Sequence, residues 1–215
     1  MGCVGCQQCV AGKHKAVAGN NACANCGASK YSQAIGATSE NTCSQCTTNS
    51  VSPAASSAST ACMCNKGYTG SGQACTSCAP GKYKADAGAN ACSDCAAAKF
   101  SSVLGATAES TCSTCPTDSS SPLGSLVSTS CTCNAGAWWS EGGTCTKCSA
   151  GKFKEATGSI VCTECVKGTY STAAGATSPI MCTACSAGKY SSTLGASSSD
   201  TCIPCDAGTL SSQGR

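Results

Sequence analysis

Two cysteines separated by two residues can hold zinc, exchange disulfides or be crosslinked, and this chain repeats that spacing along most of its length. Cys23, Cys26, Cys43 and Cys46 fit the spacing of a four-cysteine zinc site, as do Cys92, Cys95, Cys112 and Cys115. The pairs nevertheless run on without grouping into fours, and Cys62/Cys64 and Cys131/Cys133 are separated by a single residue. Disulfides are therefore favoured over zinc, and no metal or cofactor is expected. Thiol redox catalysis needs a helix N-terminus or a basic neighbour to depress one thiol's pKa, and no βαβ pattern supplies it. His14 is the single histidine, in a slot that is Tyr or Phe in six other loops, so it reads as a planar packing residue. The stretches GKYK and GKYS lack the upstream glycine of a phosphate-binding loop. With no acid/base pair and no Ser-His arrangement, no catalytic residue is assigned and no enzyme is expected. Trp138 and Trp139, between Cys133 and Cys145, are the one Trp pair. They are a possible contact for a sugar or a protein partner, or a lid over a disulfide, and Tyr68 holds a similar place one repeat earlier.

The elements that must position these residues have little apolar material to work with. Val, Ile, Leu and Phe together number 19 of 215 residues, while Cys alone numbers 25. So little aliphatic surface would ordinarily leave a chain disordered. Crosslinks that restrict the unfolded state can replace a hydrophobic core, at roughly 3 kcal/mol for each loop of about 15 residues. Such cysteine usage belongs to an oxidising compartment, so the protein is expected to be extracellular or on a cell surface. The N-terminal MGCVGCQQC has neither a basic start nor an apolar run, and Cys6 breaks the myristoylation pattern. An exported chain without a visible signal is expected to be an internal segment of a longer protein. No membrane span is expected. A net charge of +3 offers no basic face for nucleic acid.

The cysteine spacing is periodic. Units open at Cys6/Cys9, Cys75/Cys78 and Cys145/Cys148, giving repeat units over 1–74, 75–144 and 145–215, the third irregular and incomplete. In that third unit the loop Cys185–Cys202 copies the second loop type where the earlier units carry a Ser/Thr/Pro-rich one. Counted from the cysteine that opens each loop, position +5 is His14, Tyr31, Tyr83, Phe100, Phe153, Tyr170 and Tyr190. Position +10 is Gly19, Gly36, Gly88, Gly105, Gly158, Gly175 and Gly195, which implies a positive φ or a close backbone approach. Position +3 is Gly12, Gly81, Gly151, Gly168 and Gly188, with Ser29 and Ala98 in the other two loops. KYK, KYS and TYS look like strands of two or three residues, and no run has helical periodicity. A second lysine occurs only in the first loop of each unit, at Lys15, Lys84 and Lys154, and is expected to face solvent. Thr47 to Ala61 and Pro116 to Ser130 are expected to be the most exposed and least regular segments, with possible O-glycans on Thr47–Thr60 and Thr117–Ser130.

Connectivity cannot be read from cysteine positions alone. The simplest scheme closes each loop on itself: Cys9 with Cys23, Cys26 with Cys43, Cys46 with Cys62 and Cys64 with Cys75. It continues through Cys78 with Cys92, Cys95 with Cys112, Cys115 with Cys131 and Cys133 with Cys145, then Cys148 with Cys162, Cys165 with Cys182 and Cys185 with Cys202. An interlaced scheme, such as Cys6 with Cys23 and Cys9 with Cys26, is the alternative. Self-closure is favoured because loop lengths vary while the two-residue junctions stay fixed. It pairs Cys3 with Cys6 and leaves Cys205 to a partner beyond Arg215 or on another chain.

The run CNAGAWWSEGGTCTKCSAGKFKEATGSIVCTECVKGTYSTAAGATSPIMC, Cys133 to Cys182, resembles the ephrin-receptor-like cysteine-rich repeats. These are abundant in large extracellular proteins of algae and other protists and are related in pattern to tumour-necrosis-factor-receptor modules. The resemblance covers Cys6 to Cys205, and the chain also resembles, less closely, the periodic-cysteine surface antigens of ciliates. It implies an elongated extracellular architecture, and it implies a first loop closed on itself, as in Cys78–Cys92 and its copies. The expected fold is a small disulfide-rich one, mostly coil with short β-ribbons, stacked as an elongated repeat rod in which each tile touches mainly its neighbours. The expected function is a structural segment of a secreted filament, coat or flagellar-hair-like appendage, through self-assembly or other extracellular structural proteins. The alternative is a receptor or adhesin ectodomain that binds protein or glycan.

Overall fold

A chain this poor in aliphatic residues can bury little except its sulfur. The computed structural model describes residues 7–211. In it each loop-opening cysteine from Cys9 to Cys185 bonds to the next cysteine along, beginning with Cys9–Cys23, Cys26–Cys43, Cys46–Cys62 and Cys64–Cys75. Cys78–Cys92, Cys95–Cys112, Cys115–Cys131 and Cys133–Cys145 follow, then Cys148–Cys162, Cys165–Cys182 and Cys185–Cys202. Every one of these loops is closed on itself, and the bridges form a serial ladder. Cys205 is free and half-buried, and the expected Cys3–Cys6 pair lies outside the described residues. Apart from two lysines, Lys84 and Lys154, the remaining buried side chains are small: alanines such as Ala37, Ala106, Ala137, Ala176 and Ala196, and serines such as Ser32, Ser52, Ser101 and Ser171. Leu and Ile go outward, a reversal of their usual placement that follows from tiles too thin to enclose them.

Contacts divide the described chain into two compact units, one of residues 7–95 with 101–113 and the other of 96–100 with 114–211. In the first, Lys13–His14 pairs with Ala24–Asn25, Lys30–Tyr31 with Ser44–Gln45, and Lys82–Tyr83 with Ser93–Asp94, all antiparallel. In the second, Lys152–Phe153 pairs with Thr163–Glu164 and Thr169–Tyr170 with Thr183–Ala184. The longer hairpins are Tyr68–Gly70 with Cys75–Ser77 and Ala137–Trp139 with Cys145–Lys147. Strands so short cannot stand alone; the disulfide holds the two arms together while loop-to-loop hydrogen bonds do the rest.

Those bonds recur from rung to rung. The +3 N–H donates to the +6 carbonyl of the following loop: Gly12 to Ser32, Gly81 to Ser101, Gly151 to Ser171, all at 2.7–2.8 Å. The +6 N–H donates onward to the +11 carbonyl, as from Lys84 to Ala106 and from Ser171 to Ala196, at 3.0 Å in both. The +10 N–H returns to the opening cysteine of the loop before, Gly36 to Cys9 and Gly175 to Cys148, at 2.7 Å. The +3 glycine has a further reason to exist. At Gly151, φ is +83° and a Cβ would lie 2.0 Å from the Gly195 carbonyl oxygen, two loops on. Contact therefore reaches past the adjacent tile, further than a strict neighbour-to-neighbour ladder would.

The closing arm of each longer loop holds a 3₁₀ turn that the cysteine spacing does not announce. Glu40–Thr42, Pro179–Met181 and Ser199–Thr201 each end on the closing cysteine, whose N–H donates back to the turn's first carbonyl. Ser39, Ser178 and Ser198 cap these turns by accepting from the residue two ahead. The Ser/Thr/Pro-rich loops follow the same plan, with 3₁₀ turns at Ser59–Ala61 and Ser128–Ser130, so they are neither irregular nor uniformly exposed. Ser52 and Ser121 are buried, and their hydroxyls donate to the Lys30 and Lys99 carbonyls at 3.0 and 2.9 Å.

Candidate functional site

The first loop of each unit carries a Gly-Lys-aromatic-Lys tetrad, GKHK from Gly12, GKYK from Gly81 and GKFK from Gly151, which divides into four separate jobs. Its glycine takes the left-handed backbone that the close approach requires. Its first lysine lies on the ribbon beside a carboxylate, Lys82 with Asp94 at 2.5 Å and Lys152 with Glu164 at 3.1 Å. Such exposed pairs contribute about 0–1 kcal/mol. Lys30 and Glu40 repeat the pairing at 2.9 Å, and the ammonium holds the Glu40 carboxyl below the ordinary carboxylate range. The aromatic occupies the ribbon and bridges to the next loop, Tyr83 to Ala106 and Phe153 to Ala176.

The second lysine overturns the expectation of a solvated charge. Lys154 is 3% exposed and Lys84 5%. Lys154 Nζ donates to the Ala137 and Gly158 carbonyls at 2.6 and 2.7 Å, with the Asn134 and Cys133 carbonyls at 3.3 and 3.4 Å. Lys84 Nζ donates to Tyr68 and Gly88 at 2.8 and 2.5 Å. Lys15 is half-buried and donates to the Gly19 and Asn21 carbonyls. First loops are the shortest of the aromatic-bearing loops and lack the 3₁₀ turn, so their turn carbonyls have no main-chain donor. In the second and third of them the ammonium supplies one and ties the turn to the preceding hairpin.

His14 is the residue nearest to metal chemistry. Its Nδ1 lies 3.8 Å from Cys43 Sγ, and the ligand atoms of His14, Cys26 and Cys43 fall within 4.8 Å of one another. Cys26 and Cys43 are bonded to each other, so neither sulfur is a thiolate, and the ring packs on the disulfide of the next loop. The four-cysteine groupings are likewise split: Cys23 pairs with Cys9 and Cys46 with Cys62.

Trp138 and Trp139 are adjacent on the strand Ala137–Trp139 and therefore point to opposite faces of their hairpin. Trp138 is half-buried and lines a cleft of about 250 Å³ with Ser149, Lys152, Val161 and Cys162, partway to the disulfide lid. Trp139 is 41% exposed and walls a second cleft, of about 370 Å³. Register places Tyr68 opposite Ser77 and Ala137 opposite Lys147, so Ala137, not the Trp pair, is the counterpart of Tyr68. Sequence reading also missed a set of exposed aliphatics. Ile35, Leu104, Leu123 and Leu194 each stand immediately before a positive-φ glycine and are more than half exposed. The recurring aliphatic-Gly dipeptide was the available signal.

The family described as Tyrosine-protein kinase ephrin type A/B receptor-like covers residues 66–112 and 136–182. Each match takes in a hairpin, a lysine-clamped loop and the longer loop after it. No curated protein matches the chain. Among the described residues no helix is long and apolar enough to cross a membrane. The disulfide ladder and the family both point to an extracellular location. The chain is a cysteine-rich repeat protein, and its residues 66–112 and 136–182 are similar to the ephrin-receptor-like family.

Proposed function

We propose that this chain is a structural segment of a secreted, repetitive protein, assembling with copies of itself or with other structural proteins into a filament, coat or flagellar-hair-like appendage outside the cell. The observation that carries the reading is the recurring exposed aliphatic at one place in the tile: Ile35 and Leu104 in the first unit, Leu123 and Leu194 in the second. Single exposed apolar residues are ordinary, whereas an exposed aliphatic before the turn glycine in four separate loops offers a repeated contact to another chain. No catalytic role belongs to this reading. Exposed hydroxyls such as Ser57, Thr60, Thr117 and Thr129 are the places where O-glycans would sit. The test is sedimentation velocity with electron microscopy on the oxidised chain. Concentration-dependent association is expected, and it is expected to disappear in an Ile35→Ser/Leu104→Ser/Leu123→Ser/Leu194→Ser variant. A chain that stays monomeric at every concentration overturns the reading.

A further inference from the structure

We propose that the cleft walled by Trp139 binds a neutral saccharide, with a pyranose ring stacked on the indole face. The proposal goes beyond the structural role above and does not depend on it.

The chain contains its own control. The hairpin of the first unit pairs Gly70 with Cys75, and that of the second pairs Trp139 with Cys145, so Gly70 stands where Trp139 does. Thr47 and Pro116 each follow a loop-opening cysteine, and Gln73 and Gly143 each stand two residues before a loop-closing one. In the first unit three ties shut the cleft. Thr47 Oγ1 donates to the Gly72 carbonyl at 2.8 Å, and Gln73 Nε2 donates to Ser59 Oγ at 2.8 Å. The hairpin turn also lies so close that a Cβ on Gly72 would be 1.8 Å from the Cys62 carbonyl oxygen. About 40 Å³ remains, between Tyr31 and the turn.

In the second unit each tie is missing for a reason written in the sequence. Pro116 has no hydroxyl to donate, and Gly143 has no side chain to reach Ser128. A Cβ on Gly142, which stands three before the closing cysteine as Gly72 does, would meet only Ser140 Oγ of its own hairpin, at 4.0 Å, and one on Gly143 nothing within 4 Å, so the turn stands clear of the loop beside it. The space opens to about 370 Å³, and the residue mounted on its wall is the largest of the twenty.

The lining fixes the ligand class. Pro116, Ser128, Thr129, Trp139, Gly143 and Ser159 contribute an aromatic plate, a pyrrolidine ring and three hydroxyls, with no charged side chain among them. A phosphate or carboxylate ligand would have no counter-ion there. A pyranose has an apolar C–H face that matches an indole, and an equatorial rim of hydroxyls that matches Ser and Thr.

The experiment titrates the oxidised full chain with neutral methyl pyranosides and linear oligosaccharides of glucose, galactose, mannose and xylose. Tryptophan fluorescence and saturation-transfer NMR are the readouts, with a uronic-acid oligosaccharide and a proline-rich peptide as comparators. At least one neutral oligosaccharide is expected to bind saturably, with Kd on the order of 1 mM or tighter. Trp139→Ala is expected to weaken it about tenfold or more, which corresponds to roughly 1.4 kcal/mol. Pro116→Thr/Gly143→Gln, which rebuilds the ties of the first unit and keeps Trp139, is expected to weaken it as much. Trp138→Ala, on the other face, leaves it within about twofold. The proposal is overturned if no neutral saccharide binds, if binding survives Trp139→Ala or the closing variant, or if only the charged sugar or the peptide binds.

Discussion

An ammonium group enclosed by main-chain carbonyls, with no carboxylate among its hydrogen-bond partners, is held by dipoles alone. Lys154 is such a group, and its removal leaves the Ala137 and Gly158 carbonyls without their donor. Lys154→Met is therefore expected to lower stability by about 1–3 kcal/mol, read as a shift in the denaturant midpoint. Burial also pushes the Lys154 pKa below the ordinary lysine value of 10.5. In the unfolded chain the same group keeps its proton to higher pH, so its contribution to stability rises as pH climbs from the folded pKa towards the unfolded one. NMR of ¹³Cε-labelled lysines is expected to show Lys154 titrating ahead of the exposed lysines; a single common midpoint would sink this account. Glycine substitutions separate strain from crowding. Gly188 and Gly151 both have positive φ, but a Cβ on Gly188 meets nothing within 4 Å. Gly188→Ala should cost about 1–2 kcal/mol of backbone strain, and Gly151→Ala distinctly more, because its Cβ would collide with Gly195.

At the scale of the loop, the disulfide closes a tile and its cysteine carbonyl also accepts the bond from the following loop. Removing Cys148–Cys162 by Cys148→Ala/Cys162→Ala is expected to cost about 3 kcal/mol and to open residues 149–161 to limited proteolysis. Protection unchanged from the parent chain would show that the bridge is dispensable to its loop. The tile plan was legible in the sequence to the extent that it is covalent or steric. Cysteine spacing, the +3 and +10 glycines and the +5 aromatics all mark constraints on the main chain, and the structure uses each of them. The buried lysines were not legible, because a lone charge is buried only where carbonyls converge, and that convergence is tertiary. The two Trp residues could not be assigned to opposite faces before the strand Ala137–Trp139 was known. Ser39, Ser178 and Ser198 did carry a capping signal for the 3₁₀ turns, hidden in a composition full of serine.

For the whole molecule, stability and oxidation state are one property. The buried interior is mostly cysteine, alanine and serine, so no apolar core survives when the bridges are cut. Reduction at neutral pH without heat or denaturant is expected to abolish amide hydrogen-exchange protection throughout residues 7–211. Protection persisting in either unit of the reduced chain would show a core that sulfur does not supply. Alkylation before reduction is expected to modify Cys205, the free thiol among the described residues.

The loop Cys185–Cys202 belongs to the second loop type yet occupies the third place in its repeat, and the ladder does not notice. The Ser171 N–H still reaches the Ala196 carbonyl at 3.0 Å, and the Gly195 N–H still reaches Cys165 at 2.9 Å. Each aromatic-bearing tile presents the same +3 N–H donor to its successor, whether that successor is a second-type loop or a Ser/Thr/Pro-rich one, so those two loop types are interchangeable parts. A gene encoding such a protein can exchange a loop of one of these types for the other and keep the main-chain bonds that join it to the tile before it. Its surface can then be rewritten one loop at a time while the covalent ladder stays the same.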